Sequence, residues 1–128
     1  MVTEVVAAVI RRQDKILICR RPANKKRALL WEFAGGKPEP GESPRTALVR
    51  ECREELDIEL VVGEKFAECV YEYPDITVHL TAFEAEIKRG EPKLLEHADI
   101  RWVTVDELDN YEFCPADRPI IEKLKAEK

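Results

Sequence analysis

The chain has 128 residues, the length of one domain, and 45% of them are hydrophobic, which is enough to form a core. Charged residues make up 37% of the sequence, but 26 acidic side chains nearly balance 21 basic ones and leave a net charge of −5. The near balance argues against a disordered chain, and the negative sign argues against a binder of nucleic-acid polymers.

No apolar run approaches the roughly 20 residues that a membrane-spanning helix needs. The first residues lack the basic and apolar segments of a signal peptide, so we expect a cytoplasmic protein. Four cysteines form no C-x-x-C pair, and the two histidines are far apart in the sequence. A structural zinc site is therefore not expected, and the cysteines are interpreted as reduced side chains.

The hydrophobic pattern predicts more strands than helices. Apolar, β-branched segments favour a hairpin of residues 5–12 and 15–20, and further strands over residues 29–33, 66–73, 76–87 and 100–103. Residues 21–30 are polar and basic, and residues 35–41 contain three of the five glycines, so both segments are expected to be loops. With helices predicted over residues 43–56 and 115–125, the fold class is α+β or mixed α/β.

The clearest helix is the one predicted over residues 43–56. Ser43 is suited to the N-cap, and Pro44 then falls at the favoured first helical position. Leu48, Cys52 and Leu56 follow one another at intervals of four and predict the buried face of this helix.

Three glutamates share the opposite face of that helix, at Glu51, Glu54 and Glu55. Like charges at these spacings repel one another, and Arg50 can pair with only part of the cluster. A hard divalent cation such as Mg²⁺ would compensate them more fully. Acidic helix faces are more often simply solvated, however, so the spacing by itself leaves both interpretations open.

Residues 36–58 resemble the Nudix box, G-x5-E-x7-R-E-U-x-E-E-x-G-U, in which U is a bulky aliphatic residue. The charged positions and both spacers match, through Gly36, Glu42, Arg50, Glu51, Glu54 and Glu55. Two positions depart from the pattern, since Cys52 replaces an aliphatic residue and Asp57 replaces the second glycine. We expect Asp57 to adopt the left-handed conformation, which Asp tolerates better than most residues, at a modest cost in stability.

The resemblance covers nearly the whole chain and is strongest to the MutT-like nucleoside triphosphate pyrophosphohydrolases. Residues 31–37 (WEFAGGK) and 114–119 (CPADRP) also carry it. It implies a single Nudix domain over residues 1–128, with an α+β fold of the α/β/α sandwich type. In that fold a mixed β-sheet lies between helices and the box forms a loop–helix–loop. It also implies Mg²⁺, with Mn²⁺ as a substitute, and hydrolysis of a nucleoside triphosphate to monophosphate and pyrophosphate by water attack on the β-phosphorus.

The same resemblance assigns roles to individual residues. Metal binding falls to the Gly35 carbonyl and to Glu42, Glu51, Glu54, Glu55 and Glu96. Catalysis falls to Arg50, Glu51, Glu54 and Glu96, with Arg50 holding the carboxylates and either Glu51 or Glu96 as the general base. Substrate binding falls to Arg21, Glu32, Phe33 and Asp117.

Asp117 bears most directly on the substrate. The MutT type has Asn at this place, whereas Asp is more like the CTP pyrophosphohydrolase relatives. An ionised Asp only accepts hydrogen bonds, whereas a protonated one can also donate, for example to cytosine N3. Asp117 could instead, or in addition, cap the last helix.

The resemblance favours an 8-oxo-dGTP diphosphatase that removes damaged nucleotides from the pool used in DNA replication and repair. The alternative is a CTP or dCTP pyrophosphohydrolase, including activity on 5-modified cytosines. An ADP-ribose or dinucleotide hydrolase is less favoured because the chain is short, and a non-catalytic nucleotide-binding module is less favoured because the box glutamates are intact. We expect a monomer or weak homodimer, with no nucleic-acid polymer or membrane as partner.

Overall fold

A computed structural model describes residues 1–127 of the chain and contains a mixed sheet with two α-helices. The strands are β1 (Val2–Arg12), β2 (Lys15–Arg20), β3 (Trp31–Glu32), β4 (Ala34–Gly36), β5 (Glu59–Glu72), β6 (Thr77–Arg89) and β7 (Asp99–Val103). The helices are α1 (Pro44–Leu56) and α2 (Arg118–Ala126), and two 3₁₀ turns cover Val105–Asn110 and Pro115–Asp117.

The sheet has the strand order β3-β2-β1-β6-β5, with β4 paired to β1 and β7 paired to β2. The β1–β6 pair is parallel, and the other strand pairs are antiparallel. Strand β1 is therefore central, and its side chains alternate between the two faces of the sheet. Val6 and Ala8 pack in the cluster that contains α1, whereas Ala7 and Val9 pack in the cluster that contains α2. The helices thus cover opposite faces, and the α/β/α prediction is confirmed.

Both ends of α1 follow the sequence prediction. The Ser43 hydroxyl accepts a hydrogen bond from the Thr46 backbone N–H at 3.2 Å, and Pro44 begins the helix. At the other end Asp57 has φ of 55° and ψ of 44°, the left-handed conformation that the missing motif glycine would have supplied. The Asp57 N–H donates to the Arg53 carbonyl at 3.1 Å, and its carboxylate pairs with Lys93 at 2.8 Å. The departure from the box is therefore accommodated locally.

The glycine-rich segment is where the secondary-structure prediction was wrong. Residues 35 and 36, predicted to begin a loop, belong instead to strand β4, in which Gly35 pairs with Ala7 of β1. A side-chain Cβ at Gly35 would lie 1.9 Å from the Val6 carbonyl oxygen. Only glycine allows the two strands to approach this closely, so a residue type read as a loop signal instead permits a strand.

Three other elements also differ from the prediction, in where they begin or in how they pair. Strand β5 begins at residue 59 rather than 66, because its irregular register between residues 59 and 67 conceals the alternation of buried and exposed side chains. The predicted hairpin of β1 and β2 pairs only at its turn, since β1 then pairs with β4 and β6. The predicted last helix starts with a 3₁₀ turn, and α2 itself begins at residue 118.

Two predictions from composition can also be compared with the structure. None of the helices within residues 1–127 is long and apolar enough to cross a membrane. All four cysteines are free thiols, of which Cys19, Cys52 and Cys114 are buried and Cys69 is half-buried.

Candidate active site

A cleft of about 560 Å³ lies where β1, β4 and β6 meet α1, the loop after β2 and the segment before α2. Carboxyl side chains line it at two places that matter for the predicted site, and Asp75 also lies on its wall. Glu51, Glu55 and Glu96 form the first group, which we call the acidic end. Glu32 and Asp117 form the second group, which we call the base end because the sequence predicts substrate binding there.

The box glycine positions the first carboxylate of the acidic end. A Cβ on Gly36 would lie 2.5 Å from the Glu51 carboxyl group, so the glycine leaves the space that this side chain fills. Gly35 lies beside it in β4 and also lines the cleft. Strand β4 therefore places Gly35 and the space for the Glu51 carboxylate on one wall of the cleft.

Arg50 forms hydrogen bonds with three of the box glutamates. It donates to Glu42 at 2.8 and 2.9 Å, to Glu51 at 2.9 Å and to Glu54 at 3.0 Å. The guanidinium lowers the pKa of Glu42 to about 2, so this carboxylate stays ionised. Glu42 and Glu54 are absent from the cleft lining among the described residues, and Glu54 is 56% exposed at the rim of the cluster. The structure thus places Glu42 as the partner that holds Arg50.

Glu55 is the least satisfied carboxyl group of the acidic end. Its side chain is 13% exposed, and its Oε1 atom is buried without a hydrogen-bond partner in the described part of the chain. Burial raises its pKa, and the nearby charge of Glu51 raises it further. A buried, unpartnered oxygen next to other carboxylates is what a divalent cation would satisfy.

No three acidic, histidine or cysteine side chains within residues 1–127 already stand as a complete metal cage. Arg50 explains in part why no complete cage is present among these residues, because it binds oxygens of Glu51 and Glu54 that a cation would otherwise take. Glu96 completes the acidic end from the exposed loop before β7, and its charge adds to the rise of the Glu55 pKa. An all-oxygen donor set of carboxylates and a carbonyl fits Mg²⁺ or Mn²⁺.

The base end contains a buried acid. The side chain of Asp117 is only 5% exposed, and burial raises its pKa well above the ordinary value, although a hydrogen bond from the Phe33 backbone opposes the shift. Asp117 precedes α2, but its side chain makes no capping hydrogen bond there. The cap interpretation is therefore wrong, and the carboxyl group remains available to the cleft.

The other three predicted substrate residues also line this end of the cleft. Arg21 donates to Glu32 at 2.8 Å, and burial raises the pKa of Glu32 even though this arginine lowers it. Phe33 also lines the cleft, but it is 3% exposed and stacks with Phe113 at 5.4 Å, so it serves the core at least as much as the pocket. All four predicted substrate residues thus meet at this end.

His97 is not among the predicted site residues, although it lines the cleft. Its side chain is 6% exposed and lies between the two ends, with Nε2 3.8 Å from Glu32 and 3.7 Å from Glu55. Burial lowers the pKa of His97 to about 4, so the ring is neutral at pH 7 and these contacts are not ion pairs. The only sequence signal was its position next to Glu96. Basic residues 25–27, which also line the cleft, come from the loop after β2.

Comparisons with known proteins identify the family of this chain. A model of the NUDIX domain family matches residues 5–123. The CTP pyrophosphohydrolase of Escherichia coli K12 is 47% identical over 123 residues, which cover 96% of this chain and 91% of that protein. The 8-oxo-dGTP diphosphatase of the same strain is 37% identical over 95% of each chain.

Solved structures show the same fold. The solution structure of the E. coli ORF135 protein has a TM-score of 0.83 at 46% identity, covering 98% of this chain and 89% of that one. The crystal structure of the MutT protein from Methanosarcina mazei Go1 has a TM-score of 0.88 at 28% identity, covering 98% and 94%. Together with the box glutamates on α1, these likenesses show that the chain is a Nudix hydrolase of the MutT-like group.

Proposed function

We propose that this hydrolase cleaves nucleoside 5′-triphosphates to the monophosphate and pyrophosphate, with a cytosine nucleotide as its preferred substrate. One observation carries the proposal. A single cleft has an unpartnered acidic end, at Glu55, and a buried acid for base recognition, at Asp117. A nucleotide that spans the cleft presents its phosphates to one end and its base to the other.

The acidic end supports the cleavage step. Glu51 and Glu55, with Glu54, Glu96 and the Gly35 carbonyl, would hold Mg²⁺ or Mn²⁺. Such a cation, when bound, neutralises polyphosphate charge and makes water more acidic.

The protein's own groups then have separate tasks. Arg50 fixes the orientation of Glu51 and Glu54 through the hydrogen bonds described above, and Glu42 anchors Arg50 in turn. Glu51 and Glu96 face the cleft, and one of them takes a proton from the attacking water. Both remain candidates for this role.

The base end supports cytosine. Burial favours the protonated form of Asp117, which presents one O–H donor beside one carbonyl acceptor. Cytosine N3 accepts a hydrogen bond and the neighbouring amino group donates one, so the two edges are complementary. The E. coli relative named CTP pyrophosphohydrolase supports the same choice. A substituent at cytosine C5 is compatible with this pairing, because it lies away from N3.

8-Oxo-dGTP is the second candidate. A protonated carboxyl group offers the same donor and acceptor pair as an Asn amide, and can therefore accept from a purine N–H while donating to O6. The relatives named 8-oxo-dGTP diphosphatase support this candidate and, with it, a role in DNA replication and repair. We further propose that the enzyme works in the cytoplasm, where its four free thiols would stay reduced.

A substrate panel tests the proposal. With Mg²⁺ present, kcat/KM is measured for CTP, dCTP, 5-methyl-dCTP, 8-oxo-dGTP, dGTP and ADP-ribose. We expect a cytosine nucleotide to exceed dGTP by at least about tenfold, which corresponds to ~1.4 kcal/mol. A preference of that size for 8-oxo-dGTP over dGTP and the cytosine nucleotides would replace cytosine by the second candidate. Preference for ADP-ribose would overturn the triphosphate assignment.

A further inference from the structure

His97 lies between the two ends of the cleft without a full hydrogen bond to either. Its Nε2 atom is 3.8 Å from an oxygen of Glu32 and 3.7 Å from an oxygen of Glu55. Both distances exceed a hydrogen bond by about half an ångström or more. The Glu55 oxygen in question is the buried one that lacks a partner among residues 1–127.

The surroundings select the tautomer of this ring. The Nδ1 atom of His97 is buried and finds no hydrogen-bond partner in the described chain. A proton on Nδ1 would leave a buried donor unpaired and would turn the Nε2 lone pair toward two carboxyl groups. We therefore place the proton on Nε2, which lies within 3.8 Å of carboxyl oxygens of both Glu32 and Glu55.

That N–H joins two polar networks. On one side, Glu32 is bound by Arg21 and influences Asp117 through its charge. On the other side, the charge of Glu51 acts on Glu55, and Glu51 is bound by Arg50. Because one N–H can make only one short hydrogen bond at a time, a shift of either carboxylate toward His97 weakens the contact with the other.

We propose that His97 is a positioning residue that couples the base end to the acidic end by sharing its Nε2–H between Glu32 and Glu55. When a base engages Glu32, the N–H turns to Glu55 and fixes that carboxylate for cation binding. Occupation of the base end then tightens the cation site. This inference rests on the proposed function, since it needs a base at Glu32 and a cation at Glu55.

The test measures Mn²⁺ affinity of the full chain by electron paramagnetic resonance, with and without saturating cytidine. Cytidine carries no phosphate, so any change in Mn²⁺ affinity must pass through the protein. We expect cytidine to tighten Mn²⁺ binding about fivefold in the wild type, at the low end of typical site-to-site couplings. 8-Oxo-2′-deoxyguanosine is run in parallel as the second nucleoside.

Three variants separate positioning from packing. His97→Leu keeps the volume and loses the donor, so the coupling should fall below about twofold. His97→Gln retains an N–H near the Nε2 position and should keep most of the coupling. His79→Leu is the matched control, because His79 also lies between two glutamates, Glu4 and Glu68, but outside the cleft lining. It should leave the coupling unchanged.

The outcomes are distinguishable. Unchanged coupling in His97→Leu, or no coupling in a wild type that binds both Mn²⁺ and cytidine, overturns the positioning role alone. A wild type that binds neither nucleoside, or no Mn²⁺, overturns the proposed function itself. If His97→Leu does not fold, the imidazole ¹⁵N shifts of the wild type decide. An Nε2–H tautomer that responds to cytidine supports the proposal, and an Nδ1–H tautomer overturns it.

Discussion

Carboxylates in two parts of the protein differ in how their charge is balanced. Beside Arg50, Glu42 makes short hydrogen bonds to the guanidinium, and its pKa falls to about 2. In the cleft, Glu55 and Asp117 are buried and their pKa values rise, and Glu55 keeps one oxygen without a hydrogen-bond partner among residues 1–127. The same residue chemistry is therefore stabilised in one place and left unsatisfied in another.

This difference separates structural charge from functional charge. The Arg50 cluster is complete in the protein alone, and its task is to hold neighbouring side chains in place. The cleft carboxyl groups are costly without a ligand, and such groups concentrate at functional sites. A bound cation and a bound base would supply the partners that the chain itself does not.

The largest expected effect is on catalysis. Glu54→Gln preserves the shape of the side chain and removes one charge from the acidic cluster. We expect kcat/KM for the best triphosphate to fall by about two to four orders of magnitude, since cation binding supplies several kcal/mol of transition-state stabilisation. The thermal unfolding midpoint should change little because this side chain is 56% exposed.

Glu64→Gln is the control for this prediction, since Glu64 is an exposed glutamate on β5 outside the cleft lining. It should retain nearly full activity. Equal rate losses in the two variants would mean that net charge, rather than the box position, controls the reaction.

The next effect concerns the choice of base. Asp117→Asn replaces a group that can gain or lose a proton by one that always carries both a donor and an acceptor. We expect the ratio of kcat/KM for CTP over 8-oxo-dGTP to fall by about tenfold, or ~1.4 kcal/mol, while the Mg²⁺ dependence stays unchanged. An equal loss for every nucleotide would make Asp117 a structural residue.

A smaller effect appears in stability. The pKa of Glu55 is raised from 4.5 to about 8, so the folded protein holds this proton more tightly than the unfolded chain does. The free energy of unfolding of the metal-free protein therefore falls as the pH rises from 4.5 to about 8. Glu55→Gln should abolish this loss and be more stable than the wild type at pH 8 by up to about 4 kcal/mol, but not below pH 4.5.

Urea unfolding at both pH values checks this prediction, and added Mg²⁺ sharpens it. Mg²⁺ should stabilise the wild type at pH 8 and leave Glu55→Gln nearly unaffected. A variant that is less stable than the wild type at every pH would show that Glu55 is already satisfied by the protein.

The smallest effect concerns the other histidine. His79 contacts Glu4 and Glu68 at 2.7 Å each, and these carboxylates raise its pKa. Its contribution to stability is present below pH 6.5, the ordinary pKa, and is lost as the pH rises through the raised value. His79→Gln should cost less than about 1 kcal/mol at pH 6, and the cost should shrink at pH 9. A cost that is independent of pH would contradict the ionic contact.

The features that could be predicted depend on residues close together in the sequence, whereas the missed features depend on residues far apart in it. Helix α1 and its glutamates could be predicted because capping, periodicity and the box all lie within residues 36–58. Strand β4 could not, since the role of Gly35 depends on the distance to Val6 in another strand. His97 was missed for the same reason, because its meaning comes from two carboxylates that lie 65 and 42 positions away in sequence.

The proposed cleavage of nucleoside triphosphates is tested most directly by product analysis of CTP hydrolysis by ³¹P NMR, with the purified protein and Mg²⁺. We expect CMP and pyrophosphate as the only early products, and no turnover when the cation is chelated. Formation of CDP and phosphate would contradict the proposed cleavage. Failure to turn over any nucleoside triphosphate under these conditions would contradict the assignment of the cleft as a triphosphate site.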